Sequence, residues 1–283
     1  MIAGSVTPTK LPPTCDARGQ TPGATRSLAS MRGYNERSYG DGFADVYDEW
    51  YADVTDVDAT VRRMVALAGA GGSVLELGVG TGRLAVPMAA AGLRVVGIDS
   101  SRSMLGRLAT RDSDGAVTAI CGDMVVDLPD GPFDAALVAY NTIFNILDGD
   151  GQQRCFESVA ARLRPGSAFA VEAFVPDVDR PSTSTSDVSV RSLAADHVVL
   201  SVSVDDPEHQ RAEGQFVQIT ESGGVRLRPW SIRWSTPEQL DAMAAQAGLL
   251  LRARTSNMAG DPFTPDSAQH VSIYEKREAA DGG

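Results

Sequence analysis

The sequence predicts an α/β fold: an open, doubly wound sheet of seven mostly parallel strands, with a small antiparallel β insertion after the fifth. Three observations carry this expectation. Five short, nearly all-apolar segments alternate with amphipathic ones between residues 73 and 174, as parallel strands do when helices cover both faces. From residue 188 to 234 that rhythm gives way to strands with no helix between them. Past residue 236 a helix and two further strands return, enough to complete the sheet.

Taken in order, residues 43–70 read as helix, interrupted around 53–56, and residues 73–77 as the first strand. A glycine loop and a helix over 83–91 follow, then a strand at 94–98 and a helix at 101–110. Strands are expected at 117–121 and 133–139, and a helix at 151–163, stopped by Arg164-Pro165-Gly166 before a buried strand at 167–174. In the insertion, Val198, Leu200, Val202 and Val204 alternate with polar neighbours, and residues 215–220 behave similarly. Over 225–234 the apolar set moves from Val225 and Leu227 to Trp230, Ile232 and Trp234, which predicts a bulge at Pro229. The helix at 237–247 has Thr236 as N-cap and Gly248 beyond its end, and strands at 249–255 and 269–276 close the sheet.

Composition narrows the function. A net charge of −12 repels polyanions over most of the surface, so nucleic acid is a poor partner and a small molecule a better one. No apolar run approaches the ~18 residues of a membrane helix, so no membrane partner is expected. Residues 1–31, rich in Pro, Thr, Ser and Gly, read as a disordered tail. Cys15, Cys121 and Cys155 form neither a disulfide framework nor a zinc pattern, which favours a cytoplasmic chain without a metal.

The chemistry concentrates in Glu76-Leu77-Gly78-Val79-Gly80-Thr81-Gly82-Arg83. An acid ends the first strand, glycines at alternate positions let the backbone turn and approach a ligand, and a helix N-terminus follows. Arg83 occupies the place where a dinucleotide fingerprint needs a small residue, which disfavours a nicotinamide cofactor. Asp99 ends the second strand and suits a ribose diol; Gly122-Asp123-Met124 follows the third and suits an adenine ring. The fourth strand runs into Ala139-Tyr140-Asn141 at the carboxyl edge, where open α/β sheets bind ligands.

These residues resemble the class I S-adenosylmethionine (SAM)-dependent methyltransferases, with their Rossmann-like sheet. Residues 76–82 are similar to that family's first motif, Asp99 to its ribose-binding acid, residues 122–124 to its adenine contact and 164–166 to its lead into strand five. The likeness covers residues 43–174 and 237–276. A narrower one, carried by residues 44–51, by 122–124 and by the insertion, is to small bacterial methyltransferases of antibiotic and amino-sugar biosynthesis.

The resemblance implies SAM as cofactor, held by Tyr39, Tyr47, Glu76, Gly78, Gly80, Gly82, Arg83, Asp99, Ser100, Met104, Gly122, Asp123, Met124, Ala139 and Tyr140. It divides the chain into a helical lid at 32–70, a cofactor domain at 71–175 and 236–277, and an acceptor-binding insertion at 176–235. Tyr51, Asn141, Phe144, Asn145 and Trp230 are the expected acceptor contacts. Methyl transfer needs mainly alignment in a dry space, so no base is required for an amine; Tyr51, Tyr140 and His270 are the candidate catalytic groups. The expected function is N-methylation of a small molecule by a monomer or homodimer. O-methylation, a non-methylating SAM-binding protein and a nicotinamide-linked oxidoreductase are the alternatives.

Overall fold

The computed structural model describes residues 31–52, 54–178 and 185–277. The tail expected over 1–31 lies outside them except for Met31, whose N–H donates to the Glu213 carboxylate at 3.1 Å. Strands β1 (Ser73–Leu77), β2 (Arg94–Asp99), β3 (Val117–Cys121), β4 (Phe133–Val138) and β5 (Leu163–Phe174) precede an insertion of β6 (Thr185–Leu193), β7 (His197–Asp206), β8 (Arg211–Thr220) and β9 (Val225–Arg233). After it come β10 (Leu249–Thr255) and β11 (Gln269–Lys276). The large sheet runs β10-β11-β5-β4-β1-β2-β3, parallel except for β11, which lies antiparallel between β5 and β10. The expected seven-stranded, mostly parallel sheet is present, and β6-β7-β8-β9 form a separate antiparallel one.

Helices α1 (Ser38–Phe43), α2 (Tyr47–Trp50) and α3 (Val57–Ala68) precede the large sheet; α4 (Ala85–Ala90), α5 (Arg102–Arg111), α6 (Gly149–Arg162) and α7 (Pro237–Gln246) follow within it. Met64 of α3, Met88 of α4 and Leu108 of α5 pack on one face, and Phe156 of α6 and Leu240 of α7 on the other. The chain lays β1, β2 and β3 outward on one side, then returns to place β4 on the other side of β1. A crevice therefore opens between the β1 and β4 carboxyl ends, the usual ligand position in such sheets. Among the described residues no helix is long and apolar enough to cross a membrane.

Four expectations need correction. Residues 43–70 are not one interrupted helix: α1 ends at Phe43, α2 is a single turn, and α3 starts where the Asp56 carboxylate caps the Ala59 N–H at 2.8 Å. Helix α4 begins at Ala85 rather than 83, because the turn through Gly82 continues past Arg83. Strand β5 begins at Leu163, not 167: Leu163 is buried and pairs with Phe133, and the four residues 164–167 stand against the single Asp134 before pairing resumes at Ala168.

The fourth correction is the bulge at Pro229, which does not exist. Gln215 faces Pro229 and Gly214 faces Trp230 in unbroken register. Residues 228, 230, 232 and 234 all point inward; Val225 and Leu227 are exposed, and the inward place before Trp230 belongs to buried Arg228. Pro229 is tolerated because β9 is an edge strand.

The N-terminal segment is tied across the crevice by three acids. Asp41 accepts from Ser101 Oγ at 2.7 Å, and Asp48 accepts from Thr81 Oγ1 at 2.6 Å. Asp45 binds the buried Arg228 guanidinium through Nη1 at 2.6 Å and Nη2 at 3.0 Å. Two acids hold the segment to the large sheet's loops and one holds it to the small sheet.

Candidate cofactor and acceptor site

The loop after β1 is built by its glycines. Gly78 (φ +66°), Gly80 (φ +55°) and Gly82 (φ +75°) are all left-handed, a conformation other residues adopt at a cost. A Cβ on Gly78 would collide with the Thr142 methyl; one on Gly82 would lie 2.9 Å from Leu108 Cγ. Gly82 thus provides the close loop–helix packing that Arg83 cannot. Asp99 pins the loop from β2: its two oxygens accept from Gly80 N at 2.9 Å and Ser101 N at 2.8 Å. Burial raises its carboxyl above the ordinary range, and those two N–H groups oppose the rise.

A cavity of about 400 Å³ opens beside this loop. It is lined by Gly78, Gly80, Asp99, Ser100, Met104 and Gly122-Asp123-Met124, with Tyr39 and Tyr47 closing it from the N-terminal segment. Tyr34, Asn35, Glu36, Thr142, Asp148 and Arg154 also line it and were not expected. The first three precede any periodic pattern, so the sequence offers no signal for them. Asn145, expected on the acceptor side, lines this cavity instead, because the turn after β4 folds back toward Asp99.

Glu76 and Arg83, on either side of the glycine loop but outside the cavity's lining, form an unfinished pair. Glu76 is 3% exposed, its Oε2 has no partner, and burial pushes its carboxyl up to about 8 against the pull of Arg83. Arg83 keeps Nε and Nη1 buried without partners, and its Nη2 makes only a 3.4 Å contact to Thr55 Oγ1. Burial lifts the Tyr47 hydroxyl to about 12, against the opposing charge of Arg83. Orphaned buried acceptors and donors cost ~1–3 kcal/mol each, more when charged, unless a ligand satisfies them. The complementary ligand end carries both an ammonium and a carboxylate.

The turn after β4 is strained. Tyr140 (φ +44°) and Asn141 (φ +65°) are consecutive left-handed residues without glycine, a conformation that persists only where its surroundings impose it. Glu172 of β5 imposes it: its Oε2 accepts the Tyr140 N–H at 3.0 Å and its carbonyl accepts the Asn141 N–H at 3.0 Å. The Asn141 Oδ1 accepts the Phe174 N–H at 2.6 Å and so helps hold the turn. The Tyr140 ring meets Tyr51 edge-on at 5.8 Å, and Tyr51 packs on Tyr47 at 4.8 Å. Glu172, an apparent strand acid among apolar neighbours, is a turn-holding residue that sequence reading missed.

Two further expectations fail on burial. Phe144 is wholly buried against Phe174 and is core, not acceptor wall. His270 is sealed in the sheet: Nδ1 meets Ser272 Oγ at 2.9 Å, Nε2 has no partner, and burial drives its pKa down to about 4. It lines neither cavity. Ala139 is buried behind the turn. Trp230 lies on the inner face of the small sheet, beside a second cavity of about 360 Å³ between that sheet and the end of β5.

Comparison with known proteins bears on these features. Residues 74–166 match the family model described as a methyltransferase domain. The CcbJ methyltransferase from Streptomyces caelestis is 35% identical and superposes with a TM-score of 0.79 over 87% of this chain and all of that one. The chain is a class I SAM-dependent methyltransferase. The cypemycin N-terminal methyltransferase of a Streptomyces species is 29% identical over 73% of this chain and 84% of its own. DesVI from Streptomyces venezuelae shares the fold at 21% identity and a TM-score of 0.60, over 81% of this chain and 97% of that one. With this assignment the oxidoreductase and non-methylating readings fall away.

The methyltransferase's own residues fit the cofactor. SAM carries an ammonium and a carboxylate for the orphaned Glu76 and Arg83, a ribose diol for Asp99, and an adenine for the Asp123–Met124 wall. The clearance beside Gly80, where a Cβ would meet nothing nearer than 3.9 Å, leaves room for its backbone to be approached.

Proposed function

We propose that this enzyme methylates a nitrogen of a small molecule in secondary metabolism. One observation carries the reading: the space around Tyr51 and Tyr140 offers no disengaged base among the described residues. His270 is sealed away, His197 and His209 are paired with Asp196 and Asp206, and Glu172 is committed to the Tyr140 turn. An amine brings its own lone pair and needs only to arrive unprotonated, whereas a hydroxyl needs a base within hydrogen-bond reach. The name of the cypemycin relative, an N-terminal methyltransferase, supports the same choice.

In this reading Glu76 and Arg83 hold the methionine end, and Asp99, Ser100, Asp123 and Met124 the nucleoside. Bound SAM supplies a methyl carbon on a cationic sulfur. Residues 32–70 act as a lid, with Tyr39, Tyr47 and Tyr51 excluding water above the methionine end. Tyr140 is held by its strained turn so that its ring faces the acceptor. Residues 176–235 form the acceptor floor, where the second cavity, with Trp230, Ile232 and Trp234 on one wall and Phe174 and Pro176 on the other, receives an apolar ring. Alignment in a dry space does most of the catalytic work.

The test is S-adenosylhomocysteine formation with paired amines and alcohols of matched skeleton, with the methylated atom located by NMR. Turnover of amines, with a rate that rises with pH until the amine is unprotonated, supports nitrogen. Turnover confined to hydroxyls overturns it.

A further inference from the structure

Arg191 of β6 is held by three aromatic rings rather than by a carboxylate. Acidic residues outnumber basic ones 37 to 25, and Arg94, Arg111, Arg164, Arg226, Arg252 and Arg254 each have a carboxylate within ion-pair reach. Arg191 has none among the described residues. Its guanidinium carbon instead lies 4.8 Å from the Trp50 ring, 4.9 Å from Phe216 and 5.5 Å from Tyr51, with one long 3.4 Å hydrogen bond to the Trp50 carbonyl. The backbone takes a special path to put it there. Val190 pairs with Leu200 and Ser192 with Val199, so Arg191 is the extra residue of a β-bulge, a device that re-aims a side chain.

The position adjoins the proposed methyl-transfer site. Contacts run from Arg83 through Tyr47 and Tyr51 to Arg191, and the Arg191 charge also acts on Tyr140. Stacking on aromatic rings fixes a guanidinium while leaving most of its N–H donors unspent, the state in which arginine reads a carboxylate with two parallel hydrogen bonds. We propose that Arg191 is a specificity residue that pairs with a carboxylate on the methyl acceptor, placing the acceptor's nucleophile beside Tyr51 and Tyr140. This rests on the methyl-transfer site proposed above, but it is independent of whether nitrogen or oxygen is methylated.

The test separates the two. N-acetylproline and N-acetylprolinamide differ in the carboxylate and offer no amine to methylate. Each is titrated into enzyme saturated with S-adenosylhomocysteine, with indole emission as the signal because Trp50 lies against Arg191. The acid should bind saturably and at least tenfold more tightly than the amide. Arg191→Gln should erase that preference, Arg191→Lys should keep part of it, and calorimetry should find SAM affinity within twofold of wild type in both. Equal response to the two probes, no saturable response to the acid, or a preference that survives Arg191→Gln overturns the proposal. Methylation assays on amines and alcohols report separately on the acceptor atom.

Discussion

The two halves of the proposed site are built by different means. Consecutive residues at the ends of β1, β2 and β3 line the cofactor half, and its geometry is set by backbone: three left-handed glycines, and N–H groups gathered on Asp99. Side chains from six separated segments assemble the acceptor half: Tyr51, Tyr140, Glu172, Arg191, Phe216 and Trp230. A backbone-built half admits one solution and breaks sharply. A side-chain-built half can be retuned residue by residue while the other stays intact, which is how one fold serves many acceptors.

The largest expected effect is therefore in the loop. Gly78→Val adds a clash with Thr142 to an unfavourable positive φ. It should abolish measurable SAM binding, a loss of more than a hundredfold, and cost ~2–4 kcal/mol of stability by the combined strain and overpacking. Calorimetry and thermal melts check both. Binding within threefold of wild type would show that the loop does not govern the cofactor half.

Glu76→Gln is next. Removing one charge-assisted contact to an ammonium should weaken SAM by roughly ten- to a hundredfold, matching ~1.5–3 kcal/mol. The pH dependence sharpens the point. With its folded pKa raised to about 8 by burial, Glu76 carries a proton in the free enzyme at neutral pH and must lose it to meet an ammonium. SAM affinity should thus rise with pH and level off near 8, with proton release visible as buffer-dependent binding enthalpy. Stability of the free enzyme runs the other way. The folded pKa lies above the unfolded 4.5, so this contribution is fully present below that value and lost as pH climbs toward 8. In Glu76→Gln both trends should flatten.

The same divide explains what the sequence disclosed. Glu76, the alternate glycines, Asp99 and residues 122–124 were legible because backbone turns depend on local spacing. The seven-stranded sheet was legible because strands buried on both faces are apolar throughout. Arg228 defeated the reading of β9: a buried arginine occupies an inward place, so the pattern seemed to change face at Pro229. Glu172 and Arg191 were invisible because each matters only through a partner far along the chain, the Tyr140 turn in one case and the Trp50–Tyr51 rings in the other.

Glu172→Gln probes the acceptor half with a smaller expected effect. The amide keeps an acceptor for the Tyr140 N–H but weakens the bond, in a turn whose two left-handed residues cost ~1–3 kcal/mol each. The maximal rate should fall three- to tenfold while SAM affinity stays within threefold, and Glu172→Ala should lose more. A change confined to SAM affinity would move Glu172 into the cofactor half.

His270→Met should change least, and for that reason it discriminates most cleanly between a buried histidine and a base. A general base contributes ~10²–10⁴ in rate, so its loss could not go unnoticed. His270 has no route to that role: it is wholly buried, and its Nε2 is orphaned. Ser272 Oγ keeps a partner in Arg254 Nε at 2.9 Å when the ring is removed. Methionine of similar length removes an unsatisfied nitrogen and strands nothing, so turnover should stay within twofold and stability should hold or rise slightly. The ring does leave a signature in acid. Its folded pKa of about 4 lies below the unfolded 6.5, so the unfolded chain takes up the proton first and wild-type stability is lost as pH falls from 6.5 toward 4. His270→Met should remove that part of the acid sensitivity and leave the pH–rate profile untouched. A hundredfold loss of rate would instead place the histidine at the reacting atoms and restore hydroxyls as acceptors.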